Sequence, residues 1–121
     1  MVLTVVPVQI ENVSLDKTGV SPRLRATLRN ATSQPVTEVL QIYLGFPTQA
    51  GEPPQRLAAF GKVTVPARSR REVDLEIPAA AFEVWDESVR RWRAVTGEFE
   101  VMLGRSSRDI VHRARLSRVG Q

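Results

Sequence analysis

The 121-residue chain contains no cysteine and a single histidine, His112. Without cysteine there is no disulfide, no thiolate metal ligand and no thiol nucleophile, and one imidazole does not make a multi-histidine metal site. Lysine is scarce as well, since two lysines accompany fifteen arginines. These absences exclude cysteine-based catalysis and the usual zinc sites, and we expect no cofactor and no bound metal.

Long apolar runs are also missing. The run from Val2 to Val6 is ended by Pro7, whereas a helix that spans a bilayer needs about 20 apolar residues. No basic segment leads into an apolar one after Met1, so this chain shows no signal peptide. The sequence predicts no membrane partner and leaves open whether the protein is cytoplasmic or a secreted bacterial one.

The formal net charge of +4 raises the question of an anionic partner. Basic residues are spread along the chain and often stand beside acids, as in Arg71-Glu72 and Arg108-Asp109. A nucleic-acid-binding domain concentrates its basic residues on one face or segment. We therefore predict no nucleic-acid partner.

The strongest pattern in the sequence is alternation of apolar and polar residues in short runs. Val73, Leu75 and Ile77, for example, alternate with three acids. Alternation with a period of two, interrupted by Pro, Gly, Asn and Ser, is typical of half-buried strands. Strands are predicted at residues 5–13, 23–29, 39–44, 57–65, 72–77, 98–103 and 109–119.

Three segments have features beyond simple alternation. The run 39–44 is apolar at nearly every position, which indicates a central strand covered on both faces. Residues 78–82 predict one helical turn, and the apolar pairs around the polar tip 86–91 predict a hairpin that turns near residues 87–89. About seven strands with these connections favour an all-β, antiparallel β-sandwich over a closed barrel.

Four segments carry a family resemblance: LRNATSQPVTEVLQIYLGFP, LAAFGKVTV, VDLEIPAAAFEVWD and GEFEVMLGRSSRDI. In this order they resemble the fibronectin type III-like domain at the C-terminus of family 3 glycoside hydrolases, over about residues 23–117. The resemblance implies a fibronectin type III or immunoglobulin-like sandwich, with residues 1–121 as a single domain. The matching positions are Asn30, Glu38, Val39, Gln41, Tyr43, Leu57, Phe60, Lys62, Asp86, Trp92, Gly97, Phe99, Gly104, Ser106, Ser107, Asp109 and Ile110.

Three turns depart from the family pattern. Asn30-Ala31-Thr32 stands in place of Asn-Thr-Gly, Pro66-Ala67-Arg68 in place of Pro-Gly, and Thr96-Gly97 in place of a second Pro-Gly. Two of these turns lack the glycine that accepts a positive φ. The chain therefore looks like a divergent relative of the β-glucosidase type.

The resemblance also implies a function. In this family the nucleophile and the acid/base lie in preceding domains, so the resemblance implies no catalytic residue here and a module that is not an enzyme. It implies an accessory sandwich that stabilises or positions a glycoside hydrolase catalytic domain, in cis or in trans. The alternatives are a freestanding module that binds carbohydrate or protein and, further away, a small β-fold enzyme.

The acids and serines of the chain give no independent reason to expect catalysis. Glycoside hydrolysis needs two carboxyl groups that face each other, one with a raised pKa, whereas the acids at 72–76 and 98–100 alternate with apolar residues on outward strand faces. Ser106, Ser107 and Asp109 invite a triad with His112, but the resemblance places both serines in a turn. We interpret them as turn formers.

Two segments are candidates for contact with a ligand or partner. Trp85, Arg90, Arg91, Trp92 and Arg93 form one cluster, and exposed tryptophans beside hydrogen-bonding side chains stack on sugar rings. The competing interpretation, which the resemblance favours for Trp92, places both tryptophans in the core. A polysaccharide partner remains a hypothesis.

The second candidate segment is the loop 47–54, which is rich in Pro and Gly. Loops of this length often contact a ligand or a partner protein, and Pro47, Glu52 and Pro53 are the candidate contact residues of this loop. Asn12-Val13-Ser14 and Asn30-Ala31-Thr32 also match the acceptor pattern for N-glycosylation.

Overall fold

The protein is described by a computed structural model that covers residues 8–47 and 55–119. Strands account for most of these residues, and one short 3₁₀ turn connects two of them. The elements are β1 (Val8–Asp16), β2 (Arg23–Asn30), β3 (Val36–Gly45), β4 (Arg56–Val65), β5 (Ser69–Glu76), the 3₁₀ turn (Ala79–Phe82), β6 (Glu83–Asp86), β7 (Arg91–Ala94), β8 (Gly97–Ser106) and β9 (Asp109–Arg118).

The strands form two main antiparallel sheets and one hairpin. One sheet has the order β1-β2-β5, the other has the order β4-β3-β8-β9, and β6 pairs with β7 alone. This confirms the all-β, fibronectin type III-like sandwich. The described residues contain nine strands rather than about seven, because both hairpin strands form a sheet of their own. No helix in the described part of the chain is long and apolar enough to cross a membrane.

The core lies between the two main sheets. Leu24 and Leu28 of the three-stranded sheet and Ile42 and Leu103 of the four-stranded sheet belong to one buried cluster. Phe99 sits at one end of it, with its ring edge-to-face against Phe82 at 5.1 Å and against Phe46 at 4.9 Å. Every inward position of the period-two pattern thus contributes to a single core.

The prediction that residues 39–44 are covered on both faces is wrong. Leu40, Ile42 and Leu44 are fully buried, but Val39 on the other face is 39% exposed and Gln41 is only half-buried. The strand is central because β4 and β8 flank it, not because both faces are packed. A run that is apolar on both faces therefore leaves apolar side chains on the outside of this sheet.

β1 extends further than predicted. It continues to Asp16 instead of ending at Val13, and residues 5–7 of the predicted strand lie outside the described residues. The register shifts between Glu11 and Ser14, where Asn12 has a φ of 53°. A bulge at this point lets the strand bend and resume its pairing with β2.

Asn30 is the one buried polar residue of the described core, with 1% exposure. Its Nδ2 donates to the carbonyl oxygens of Gln34, Val65 and Pro66 at 2.7, 3.0 and 3.2 Å. Its Oδ1 accepts from the backbone N–H and the hydroxyl of Thr32 at 2.9 and 2.7 Å. One amide therefore joins the β2–β3 turn to the β4–β5 turn, and its burial removes Asn30 as a glycosylation acceptor.

The turn between β4 and β5 tolerates the loss of its expected glycine. Arg68 adopts a φ of 53°, and its N–H donates to the carbonyl of Thr32 at 3.0 Å. A left-handed conformation costs a non-glycine residue about 1 kcal/mol. The cross-turn hydrogen bond offsets part of that cost, so the turn forms without a glycine.

Gly104 is needed for a different reason, close approach of the backbone. A Cβ at this position would lie 2.5 Å from the carbonyl oxygen of Asp109 and 2.9 Å from that of Ser106. No side chain fits there, because the β8–β9 turn folds back onto β8. This explains the glycine that precedes the two serines in the sequence.

We predict that Asn30→Ala lowers the free energy of unfolding by about 3 kcal/mol, because it leaves several buried backbone groups without a partner. Thermal unfolding should shift downward by roughly 10 °C. Asn30→Asp should destabilise most at neutral pH, where a carboxylate faces three carbonyl oxygens, and less in acid, where a protonated carboxyl donates again. Equal unfolding curves for wild type and Asn30→Ala at pH 7 would contradict this role.

Candidate functional site

The hairpin formed by β6 and β7 projects from one end of the sandwich. Trp85 and Trp92 are directly opposed in its register, and their rings meet edge-to-face at 5.8 Å with an interplanar angle of 73°. The Trp85 indole N–H donates to Oε2 of Glu87 at 2.7 Å. Because Val84, the residue before Trp85, is buried, the hairpin packs the Val84 side inward and presents the tryptophans on the other face.

The interpretation of both tryptophans as core residues is wrong. Trp85 is 48% and Trp92 59% exposed, so the structure places them where a ligand or partner would reach them. Arg90, Arg91 and Arg93 are exposed too. The predicted hairpin and its polar tip are confirmed, and the whole candidate cluster lies within it.

Asp86 organises the tip of the hairpin. Its Oδ1 accepts from the hydroxyl and the N–H of Ser88 at 2.6 and 3.0 Å, and its Oδ2 pairs with Nε of Arg93 at 3.2 Å. The hydrogen bond from the Ser88 hydroxyl, with help from Arg93, lowers the pKa of Asp86. The carboxylate therefore stays charged at neutral pH and stiffens the turn.

The base of the hairpin is joined to the segments that flank the second candidate loop. Arg56, which follows the loop 47–54 after one intervening residue, donates from Nη2 to the carbonyl oxygens of Ala81 and Glu83 at 2.6 and 2.7 Å. The Arg56 guanidinium also lies 4.4 Å from the centre of the Phe46 ring. Pro47 is therefore at the hairpin end of the sandwich, but it is buried, so its prediction as a contact residue is wrong; Glu52 and Pro53 lie outside the described residues.

A second exposed surface lies on the outer face of the four-stranded sheet. We call Val39, Leu57 and Phe60 the outer strip; they are 39%, 48% and 71% exposed. Register places them on the same face as Gln41 and Tyr43, because Phe60 pairs with Gln41 and Leu57 with Tyr43. The sequence matched these positions to the family without identifying them as a surface.

The rest of the outward faces is dominated by ion pairs. On the β8–β9 half of the four-stranded sheet, Arg113 meets Glu100 at 2.9 Å and Arg115 meets Glu98 at 3.1 Å. On the three-stranded sheet, Asp74 contacts both Arg23 and Arg25. Such surfaces are ordinary solvated faces, so the outer strip stands apart as an apolar patch.

The interpretation of the serines as turn formers holds for Ser106, whose Oγ accepts from the N–H of Arg108 at 3.2 Å. His112 pairs with Leu103 in the β8–β9 register, and Leu103 is fully buried in the core. No group of three or more metal-ligating side chains occurs within residues 8–47 and 55–119.

Comparison with known families decides the assignment. Residues 38–107 match the fibronectin type III-like domain family, which covers more than half of the chain. The chain belongs to this family. The matched segment runs from within β3 through β4 and the hairpin to the end of β8, so both the outer strip and the tryptophan pair lie inside it.

The relatives of this domain are glycoside hydrolases. It is 36% identical over 86 residues to the probable β-glucosidase N of Emericella nidulans, covering 71% of this chain and 13% of the relative. It is 30% identical over 105 residues to the exo-α-(1→6)-L-arabinopyranosidase of Bifidobacterium breve, covering 84% of this chain and 14% of the relative. The chain thus spans about one seventh of these proteins.

Solved structures agree. The domain superposes on the family 3 β-glucosidase of Bifidobacterium adolescentis with a TM-score of 0.83 and 30% identity, covering 91% of this chain and 17% of that one. The resemblance found in the sequence is therefore confirmed. The domain corresponds to a small, accessory part of family 3 β-glucosidases, whose catalytic function lies in other domains.

We predict that the carboxyl of Asp86 titrates below the ordinary value of about 3.9. NMR titration of the aspartate carboxyl carbons measures this directly. Ser88→Ala should raise the midpoint most and Arg93→Gln less. Because the folded pKa is lowered, the hairpin should be stabilised above the unfolded pKa and loosen as the pH falls through the folded value. A midpoint at or above the ordinary value would contradict the hydrogen-bond pattern.

Proposed function

We propose that this domain is a non-catalytic module that packs against a family 3 glycoside hydrolase catalytic domain through the outer strip, and thereby stabilises or positions it. The family match and the small share of each relative that the domain covers support this proposal. The observation that carries it is the outer strip itself, because an isolated sandwich has no reason to present three neighbouring apolar side chains, among them Phe60 with 71% exposure, on one sheet face.

The chemistry of the outer strip suits a domain–domain contact. Its three side chains are apolar. The charged residue beside them is Lys62, which pairs with Val39 across the strands. Full burial of one large apolar side chain contributes about 1.5–3 kcal/mol. Burial of the outer strip against a partner surface would therefore contribute several kcal/mol of binding free energy, to which polar contacts at its edges add specificity.

The electrostatics of the acids support a module without catalysis. Every carboxyl whose pKa shift is resolved in the described part of the chain is shifted downward: Asp16 by its hydrogen bonds from Thr18, Asp74 by Arg23 and Asp86 by Ser88. A glycosidase acid needs the opposite shift, produced by burial. These carboxylates are suited to surface pairing rather than to proton transfer.

A second function, contact with polysaccharide, is favoured by one observation. Two tryptophans stand exposed with their rings in contact on the hairpin, whereas the outer strip belongs to β3 and β4. This surface would serve a domain attached to a hydrolase as well as a freestanding module.

The test of the first function uses the catalytic domain encoded with this chain. We expect the chain to raise the unfolding midpoint of that domain by about 5 °C. Phe60→Lys should weaken the association about 30-fold, since a charge replaces a ring that the proposed contact buries. Thr27→Lys, on the outer face of the other sheet opposite Glu72, is the matched control and should behave like wild type.

The accessory function and the choice of the outer strip as contact surface are contradicted by different outcomes. If the chain changes neither the stability nor the activity of the catalytic domain, the accessory function is wrong. If the chain stabilises the catalytic domain and Phe60→Lys stabilises it equally well, the outer strip is not the contact surface.

A further inference from the structure

A groove lies at the end of the sandwich, between the base of the hairpin and the ends of β1 and β9. Its volume is about 710 Å³, which is the size of a small-molecule or oligosaccharide site. Apolar side chains form its floor and charged ones its rim. The lining includes Lys17, Phe82, Glu83, Ala94, Leu116 and Arg118.

Arg118 is the unusual residue of this groove. Its guanidinium lies 4.0 Å from the centre of the Phe82 ring, and no carboxylate within the described residues comes within ion-pair distance of it. Partial burial lowers its pKa, which reflects the loss of water around the guanidinium. Arginines such as Arg113 and Arg115 pair with an acid on the same strand pair, whereas the N–H groups of Arg118 are available as donors to a ligand in the groove.

The groove continues onto the tryptophan pair. Glu83 and Ala94 line the groove and pair with each other. In the hairpin register this pair lies two positions closer to the base than the pair of Trp85 and Trp92. Residues two apart on a strand share a face, about 6.8 Å apart. The groove and the two indole rings therefore form one continuous surface, longer than a single sugar ring.

We propose that this surface, the groove together with Trp85 and Trp92, binds a neutral polysaccharide chain of the β-glucan type. This deepens the second of the proposed functions and rests on it. Pyranose rings stack their apolar faces on the exposed indoles. Sugar hydroxyls accept hydrogen bonds from Arg118 and Lys17 and donate to the carboxylate of Glu83.

The balance of charge selects a neutral ligand. On the face of the hairpin that carries the indoles, and along the groove, two cations, Lys17 and Arg118, stand with two carboxylates, Glu83 and Glu87, the latter fixed on the indole of Trp85. Arg91 and Arg93 flank Trp92 in the strand and therefore lie on the opposite face of the hairpin. A polyanion site would carry a cationic excess. A protein contact would deplete charges at its centre, whereas here charged groups flank each aromatic ring. Hydroxyl groups, which both donate and accept, satisfy such a mixed lining.

The experiment is calorimetric and fluorescence titration of the 121-residue protein with cellohexaose and laminarihexaose. We expect a dissociation constant on the order of 1 mM or below and a shift in tryptophan emission. Trp92→Ala should weaken binding at least about tenfold and Arg118→Gln about threefold. The matched controls are Phe60→Ala, an exposed aromatic on the outer strip, and Arg70→Gln, an exposed arginine at the other end; both should bind within about twofold of wild type.

Unchanged unfolding midpoints of the four variants show that any loss reflects the site and not the fold. The proposal is overturned if neither oligosaccharide binds at about 5 mM, or if Trp92→Ala and Arg118→Gln bind like the controls. It is also overturned if only polygalacturonate binds and roughly 0.5 M salt abolishes that binding. Because Phe60 lies outside the groove, stabilisation of the hydrolase by the outer strip survives a negative result here.

Discussion

The inward packing of β3 determines most of what this domain shows to the outside. Leu40, Ile42 and Leu44 are fully buried against the three-stranded sheet, and strand geometry then forces the residues between them outward. Val39 is one of them, and the register carries the same face to Leu57 and Phe60 on β4. The outer strip is thus a direct consequence of which side of β3 faces the core, and it is available to a partner without any rearrangement.

The hairpin end of the sandwich depends on a second set of interactions, the contacts of Phe82 and Arg56. Phe82 is buried against Phe99, and Arg118 covers its ring from the other side. Arg56 holds the carbonyl oxygens of Ala81 and Glu83 where β6 begins. A two-stranded hairpin is marginal by itself. These contacts fix the base of this one, so its tryptophans are presented in a defined direction and the groove beside them keeps its shape.

Alternation in the sequence predicts the strands, because period-two burial is a local property, and the signals at residues 86–91 and 78–82 predict the hairpin and the connector. It did not predict the environment of Trp85 and Trp92, since a cross-strand pair shares a face but the pattern does not say which face the sandwich covers. Here the smaller Val84 faces inward. Nor did it find Arg118, because its contact with the Phe82 ring arises only from tertiary packing.

The two exposed surfaces differ in chemistry, and this difference argues for two separate roles. The outer strip is apolar without ion pairs, which suits a surface that is permanently covered. The hairpin surface combines aromatic faces with Glu83, Glu87 and Arg118, so it remains well solvated when empty and suits a ligand that comes and goes. A module that used one surface for both purposes would have to release its catalytic domain in order to bind substrate. With the strip on β3 and β4 and the tryptophans on the hairpin, the two proposed contacts use different elements of the domain and do not compete.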